Sequence, residues 1–211
     1  IDEHSTGIVW YRKNFILPEA AKGQKIFLEF EGIRQGGDIY VNGKQVGLHE
    51  NGVMAFGLDL SDIVVFDGKE NSIALRIDND WHYRQRSTNA TYRWNNINFN
   101  ANYGGIPKNV FLHITDNLYQ TLPLYSNLKT TGVYVYATDF DIPQAAATVH
   151  VESEVKNEYD TSKTFQYSVA VFDLDNKKVA EFSGAETSLK PGERTIVSAA
   201  QRLNNLNFWS W

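Results

Sequence analysis

GGDIYVNGKQVGLHENGVMAFGLDLSD, residues 36–62, sets two Asn-Gly pairs between runs of apolar residues. Asn42-Gly43 supplies two residues that tolerate positive φ, which a type I′ hairpin turn demands and a branched side chain resists. The pair predicts a hairpin joining residues 38–41 to residues 44–48. Beyond Asn51-Gly52, Met54, Phe56, Leu58 and Leu60 recur at every second position. That period puts all four on one face of a half-buried strand.

Working outward, the same alternation returns at Ile26, Leu28 and Phe30, at Ile73, Leu75 and Ile77, and at Val110, Leu112 and Ile114. Residues 8–17 read as a strand with apolar side chains on both faces, stopped by Pro18. No apolar stripe of period 3.6 reaches helical length, so the chain reads as all-β. The stretch Thr121-Leu122-Pro123-Leu124-Tyr125-Ser126-Asn127 reads as an extended linker and puts a domain boundary after Leu122. Past it, strands are expected at 132–138, 148–155, 165–171 and 179–182. Turns at Asp160-Thr161-Ser162, Asp175-Asn176 and Lys190-Pro191-Gly192 separate them. Short strands at this spacing predict an immunoglobulin-like sandwich, with Val149, Val151 and Val155 inward and His150, Glu152 and Glu154 toward water.

With 211 residues and no cysteine, one or two domains must build their cores from apolar burial alone. The absence of cysteine leaves the redox compartment open. A net charge of −5, with lysine and arginine scattered among acids, offers no basic stripe for a phosphate backbone and argues against nucleic-acid partners. No apolar run approaches the roughly 18–20 residues of a membrane span, and Ile1-Asp2-Glu3-His4 does not read as a signal peptide. Aromatic residues make up 13% of the chain, and most fall inside alternating strands, where two-sheet cores use them.

Several stretches carry a family resemblance. They are Trp10-Tyr11-Arg12-Lys13 with Phe15 and Leu17-Pro18, Leu28-Glu29-Phe30-Glu31-Gly32, and Tyr40-Val41-Asn42-Gly43 with Val46-Gly47 and His49. Asn71-Ser72-Ile73-Ala74-Leu75-Arg76-Ile77 and Tyr103-Gly104-Gly105-Ile106 before Asn109-Val110-Phe111-Leu112 continue the series. In this order they resemble the N-terminal jelly-roll domain of glycoside hydrolase family 2, which includes β-galactosidases, β-glucuronidases and β-mannosidases. Pro107-Lys108-Asn109 departs from the family's aromatic-Arg-Asp pattern.

The resemblance implies a jelly-roll, galactose-binding-domain-like sandwich over residues 1–122, then the immunoglobulin-like sandwich over 123–211. It implies the non-catalytic N-terminal region of a retaining exo-glycosidase whose two catalytic glutamates lie in a (β/α)8 barrel of the same polypeptide. Leu206-Asn207-Phe208-Trp209-Ser210-Trp211 resembles the strand that leads toward that barrel. A barrel needs roughly 250 residues, for which this chain has no room. The implied partners are a glycoside or oligosaccharide substrate, met through the parent enzyme, and the barrel itself. Neither nucleic acid nor membrane is implied, no cofactor is called for, and the resemblance favours a periplasmic or secreted compartment over the cytoplasm without fixing it.

Candidate chemistry is sparse. Asn157-Glu158 reproduces the family's acid/base dipeptide, but it follows a strand and leads into a Tyr-Asp-Thr-Ser turn, so it reads as a solvated strand end. The five histidines lack metal-ligand spacing, and His49, His113 and His150 read as structural. Asp78, Asn79 and Asp80 could offer three oxygens to calcium, yet they also read as a polar turn, and no metal site is assigned. The best candidate is the aperiodic stretch 78–103, rich in Asn, Arg and aromatics. Long ordered loops of this kind are commonly functional, and aromatic faces beside hydrogen-bonding groups suit sugars. Its candidate substrate-binding residues are Trp81, Arg84, Arg86, Trp94, Asn98, Asn100 and Asn102, with His82 and Asn95 beside them. Packing on a neighbouring domain would explain the same composition. Two other readings remain open: an independent carbohydrate-binding or adhesion module, and a purely structural interaction protein.

Overall fold

Asn42 and Gly43 take φ of 50° and 79°, so the Asn-Gly pair forms the turn its chemistry demands. A computed structural model describes residues 6–51, 54–91, 104–123 and 127–208. The turn joins β3 (Gly36–Val41) to β4 (Lys44–Glu50), with a register shift between Ile39 and Tyr40. Each strand runs two residues further at its open end than the sequence pattern indicates.

The chain divides into two units, 1–115 and 116–211. In the first, β1 (Ile8–Ile16) and β6 (Glu70–Asp78) join the hairpin in an antiparallel sheet of order β1-β6-β3-β4. Facing it is a sheet of order β5-β2-β7, made from β2 (Lys25–Phe30), β5 (Phe56–Asp59) and β7 (Val110–Thr115). Ile26, Leu28 and Phe30 of β2 meet Ile39, Val41, Ile73, Leu75 and Ile77 in one buried cluster. The predicted alternation therefore lies along the core. It weakens at the edges: Met54 lies outside β5 and is exposed, and Val110, Leu112 and Ile114 are 37–41% exposed. Among the described residues β7 pairs only with β2, so nothing on its far side completes the burial. The one helical element among them is a single 3-10 turn, Glu19–Ala21.

Asn71 shows how a polar residue can occupy this core. Fully buried, it accepts from the Val65 N–H (2.8 Å) and the Asn42 amide (2.9 Å), and donates to the Val65 carbonyl (2.7 Å). The side chain thus stands in for a missing strand partner and holds the 61–66 connection against the sheet.

In the second unit, β10 (Ala146–Asn157) is the central strand. It pairs with β13 (Arg194–Leu203) on one side, and with β8 (Leu118–Gln120) and β9 (Val133–Asp141) on the other. A two-stranded sheet of β11 (Lys163–Phe172) and β12 (Lys178–Leu189) closes over Val151, Val155 and Val197 with Tyr167 and Leu189. The division falls earlier than the boundary drawn at Leu122. Leu118–Gln120 hydrogen-bonds to the end of β10, and buried Thr121 donates to Glu154 at 3.0 Å. That contact also buries Glu154, which the strand alternation placed in water.

Asn157 likewise departs from the solvated position expected for the Asn-Glu pair. It is fully buried, its amide reaching the carbonyls of Thr161 and Leu189 at 3.0 Å and of Lys190 at 3.2 Å. Its carbonyl oxygen accepts from the Tyr159 N–H at 3.0 Å. The residue is a knot tying two turns to the end of β10, and Glu158 pairs with Lys156.

Two measurements test these assignments. Asn157→Ala strands three carbonyls and one N–H, and we expect it to lose about 2–3 kcal/mol in urea unfolding. Asn157→Asp, which cannot donate, should be no better. In the first unit His49 stacks on Phe56, centroids 3.9 Å apart, and burial lowers its pKa below 6.5. The unfolded chain then takes up the proton first, so this contribution is complete above about pH 6.5 and is lost as pH falls through the lowered value. Replacing His49 with Gln should flatten that part of the stability profile between about pH 7 and pH 5.

Candidate functional site

The outward face of β1-β6-β3-β4 carries an unusual residue for a strand interior. Asp38 points away from the core, yet its side chain is only 3% exposed. A carboxylate removed from water needs charge or hydrogen-bond partners. Arg86 supplies them as a two-pronged pair, its terminal nitrogens 2.7 and 2.6 Å from the two Asp38 oxygens. Gln45 donates to the same carboxylate at 2.9 Å, and Arg76 lies 3.4 Å away while also reaching Asp78 at 3.3 Å. The hydrogen bonds from Asp38 in turn raise the Arg86 pKa above its ordinary value.

Arg86 comes from the segment after β6, which folds back over the sheet. A second anchor is Tyr83, which is buried and donates from its hydroxyl to Glu50 at 2.7 Å. The same Glu50 oxygen accepts the Arg86 N–H at 2.8 Å. Tyr83 fits because residue 36 is glycine: a Cβ there would collide with the phenol ring. Gly37 answers the same need on the other face, where a Cβ would strike Ile33. The Gly-Gly pair that opens β3 thus admits a ring outside and an aliphatic chain inside.

The turn into this segment is built from local acids. Asp78 accepts the Asp80 N–H at 3.1 Å, and Asp80 accepts the His82 N–H at 2.7 Å. Asn79, buried, accepts the Gly7 N–H at 3.0 Å. Of the three side chains weighed as calcium ligands, Asp78 and Asp80 accept within local turns, Asn79 holds the distant Gly7, and Asp78 also faces Arg76. Among the described residues no cluster of three or more His, Cys, Asp or Glu side chains forms a metal cage.

Of the candidate binding residues, Trp81 is half-buried, while Arg84 is exposed and donates to the Asn89 carbonyl at 2.9 Å. Arg84 also bridges Thr91. Arg86 is committed to Asp38. Trp94, Asn98, Asn100 and Asn102 lie outside the described residues, as does Asn95. Where the chain is described again, Gly105 exchanges two backbone hydrogen bonds with Arg34, both 3.0 Å, and Gly104 packs against Asn79 with no room for a Cβ. Residues 91 and 105 are therefore both held at bridges. Asp38, Glu50 and Tyr83 were not among the candidate site residues read from the sequence; the available signal for Asp38 was an acid between glycine and isoleucine inside a strand.

The sequence profile described as glycosyl hydrolase 2 galactose-binding domain-like matches residues 4–116. A β-glucuronidase of Formosa agariphila is 39% identical over 210 residues, covering 99% of this chain and 21% of that protein. A β-galactosidase of Thermoanaerobacter pseudethanolicus is 31% identical over 201 residues, covering 95% of this chain and 24% of the relative. Among solved structures, a β-glucuronidase from glycoside hydrolase family 2 superposes with a TM-score of 0.85 at 37% identity, over 99% of this chain and 21% of that one. The chain spans about a fifth to a quarter of the length of these relatives. Together with the two facing sheets of the first unit, these matches show that the chain belongs to glycoside hydrolase family 2, with residues 4–116 as its galactose-binding-like domain.

Proposed function

We propose that the chain is the accessory N-terminal region of an exo-acting family 2 β-glycosidase, whose loop 78–103 shapes the entrance to a catalytic (β/α)8 barrel. The reaction is hydrolysis with retention, which needs two carboxyl groups roughly 5–5.5 Å apart across the glycosidic bond. Those groups belong to the barrel; this chain contributes the shape of the mouth. The second unit, two antiparallel sheets over a shared core, is read as the immunoglobulin-like sandwich expected between the first domain and the barrel.

The observation that carries this reading is the pinning of residues 80–91 by Arg86 on Asp38 and by Tyr83 on Gly36 and Glu50. A loop that only fills space needs no such base, whereas one that meets a substrate works best from a rigid footing. Trp81 and Arg84, on the pinned segment, are proposed to reach the sugar or the groups around it, together with Trp94, Asn98, Asn100 and Asn102. Arg86 acts as the positioning residue for the segment 80–91. The similarity to β-glucuronidases and a β-galactosidase supports a β-linked glycoside as the substrate class.

Two outcomes test this. The 211-residue chain alone should give no turnover of nitrophenyl β-glucuronide or β-galactoside; turnover abolished by a substitution within the chain would overturn the reading. In the full-length gene product, Arg86→Ala should raise KM about five- to tenfold while kcat changes less than about twofold. Unchanged KM, in a variant whose loop protease sensitivity shows release of residues 80–91, would leave the loop without a role at the entrance.

A further inference from the structure

The Asp38 end of the outward sheet face is covered by residues 80–91, and the other end lies open. Strand register sets Arg12, Ala74 and Tyr40 in one row across β1, β6 and β3, with Trp10, Arg76 and Asp38 in the next. Ala74 ends at a methyl group while its row neighbours are long. The result is an open hollow of about 510 Å³, floored by Ala74, walled by Trp10, Tyr40 and Arg12, and rimmed by Ser72 and the Asn42-Gly43 turn. Its volume falls within the roughly 300–1,000 Å³ of small-molecule sites.

The walls are chemically specific. Trp10 is 59% exposed, and its ring centroid lies 5.9 Å from that of Tyr40 with the planes tilted by 34°, so the two faces open as a shallow V. Neither the indole N–H nor the Tyr40 hydroxyl bonds a described residue. Arg12 is held through Nε by Ser72 Oγ at 3.2 Å, and among the described residues it meets no carboxylate. Asn42, bonded to Ser72, Ile63 and Asn71, fixes the rim.

We propose that this hollow is a second carbohydrate site that holds a pyranose ring bearing a carboxylate, as part of an oligosaccharide chain. A pyranose presents an apolar C–H face that stacks on aromatic rings while its hydroxyl edge meets donors. Trp10 and Tyr40 supply the faces. The Arg12 guanidinium, oriented by Ser72, matches a carboxylate in charge and shape. An apolar peptide would leave that cation unused, and a hollow lined by one guanidinium lacks the row of cations that a nucleic-acid backbone would need. Because all three residues stand on strands, the platform is formed before the ligand arrives. This site goes beyond the entrance reading and stands without it, since it needs no barrel.

The test is calorimetric titration of the 211-residue chain with tetragalacturonate and with its carboxyl-reduced, neutral counterpart. We expect saturable binding of the acidic tetrasaccharide, weaker binding of the neutral one, and a loss of about tenfold or more for both on Trp10→Ala. Arg12→Gln should weaken the acidic ligand about fivefold or more and leave the neutral one unchanged. The proposal is overturned if the acidic tetrasaccharide shows no affinity, or if neither substitution alters binding. It is also overturned if sedimentation shows self-association that Trp10→Ala abolishes, which would make a second copy the occupant. Should Trp10→Ala lower the thermal midpoint, the exposed Arg12→Gln variant decides alone. Failure here leaves the kinetic test of the entrance loop untouched, and the reverse also holds.

Discussion

A carboxylate with almost no access to water sits in the middle of a strand, and much of the first unit is arranged around that fact. Asp38 could have been accommodated by Arg76 alone, its neighbour across the sheet. Instead Arg86 arrives from a distant segment and closes a two-pronged pair at hydrogen-bonding distance. Breaking that pair would leave the buried carboxylate to Gln45 and the longer Arg76 contact, a poorer match for a charge so far removed from water. The consequence is positional: residues 80–91 are bound to one place on the sheet, with Tyr83 and Glu50 as the second point of attachment.

This attachment divides the outward sheet face into two regions with different chemistry. Over Gly36 and Asp38 the face is roofed by a ring and a guanidinium. Over Ala74 it is bare, flanked by Trp10, Tyr40 and Arg12. Neither region depends on the other for its packing, because both are built on strands whose inner faces share one core of Ile39, Val41, Ile73 and Leu75. The same economy governs the second unit, where Asn157 and Glu154 hold turns and strand ends to the long central strand through buried hydrogen bonds. Polar residues inside these sandwiches do the work of strand edges that have no partner.

The matches to family 2 proteins cover nearly all of this chain and only a fifth to a quarter of theirs. What the described residues do offer is surface: a pinned loop base on one side and an aromatic hollow on the other.

The hairpin turn, the core positions of β2 and β6 and the family itself were legible in the order of residues, because turn chemistry and a two-residue period act locally. The Asn42-Gly43 φ angles follow from Cβ sterics, and Ile26, Leu28 and Phe30 from alternation. Other features were decided only by distant contacts. Arg86 read as a candidate sugar ligand, and its pairing with Asp38, far back in the chain, was not visible in the local pattern. Glu154 followed a polar alternation yet is buried by Thr121, and Asn157 looked like a wet strand end until two turns closed over it. Val110, Leu112 and Ile114 had the pattern of a core strand, but an edge position left them exposed. In each case the local pattern named the residue's preference, and the register and folding back of remote segments decided whether that preference could be met.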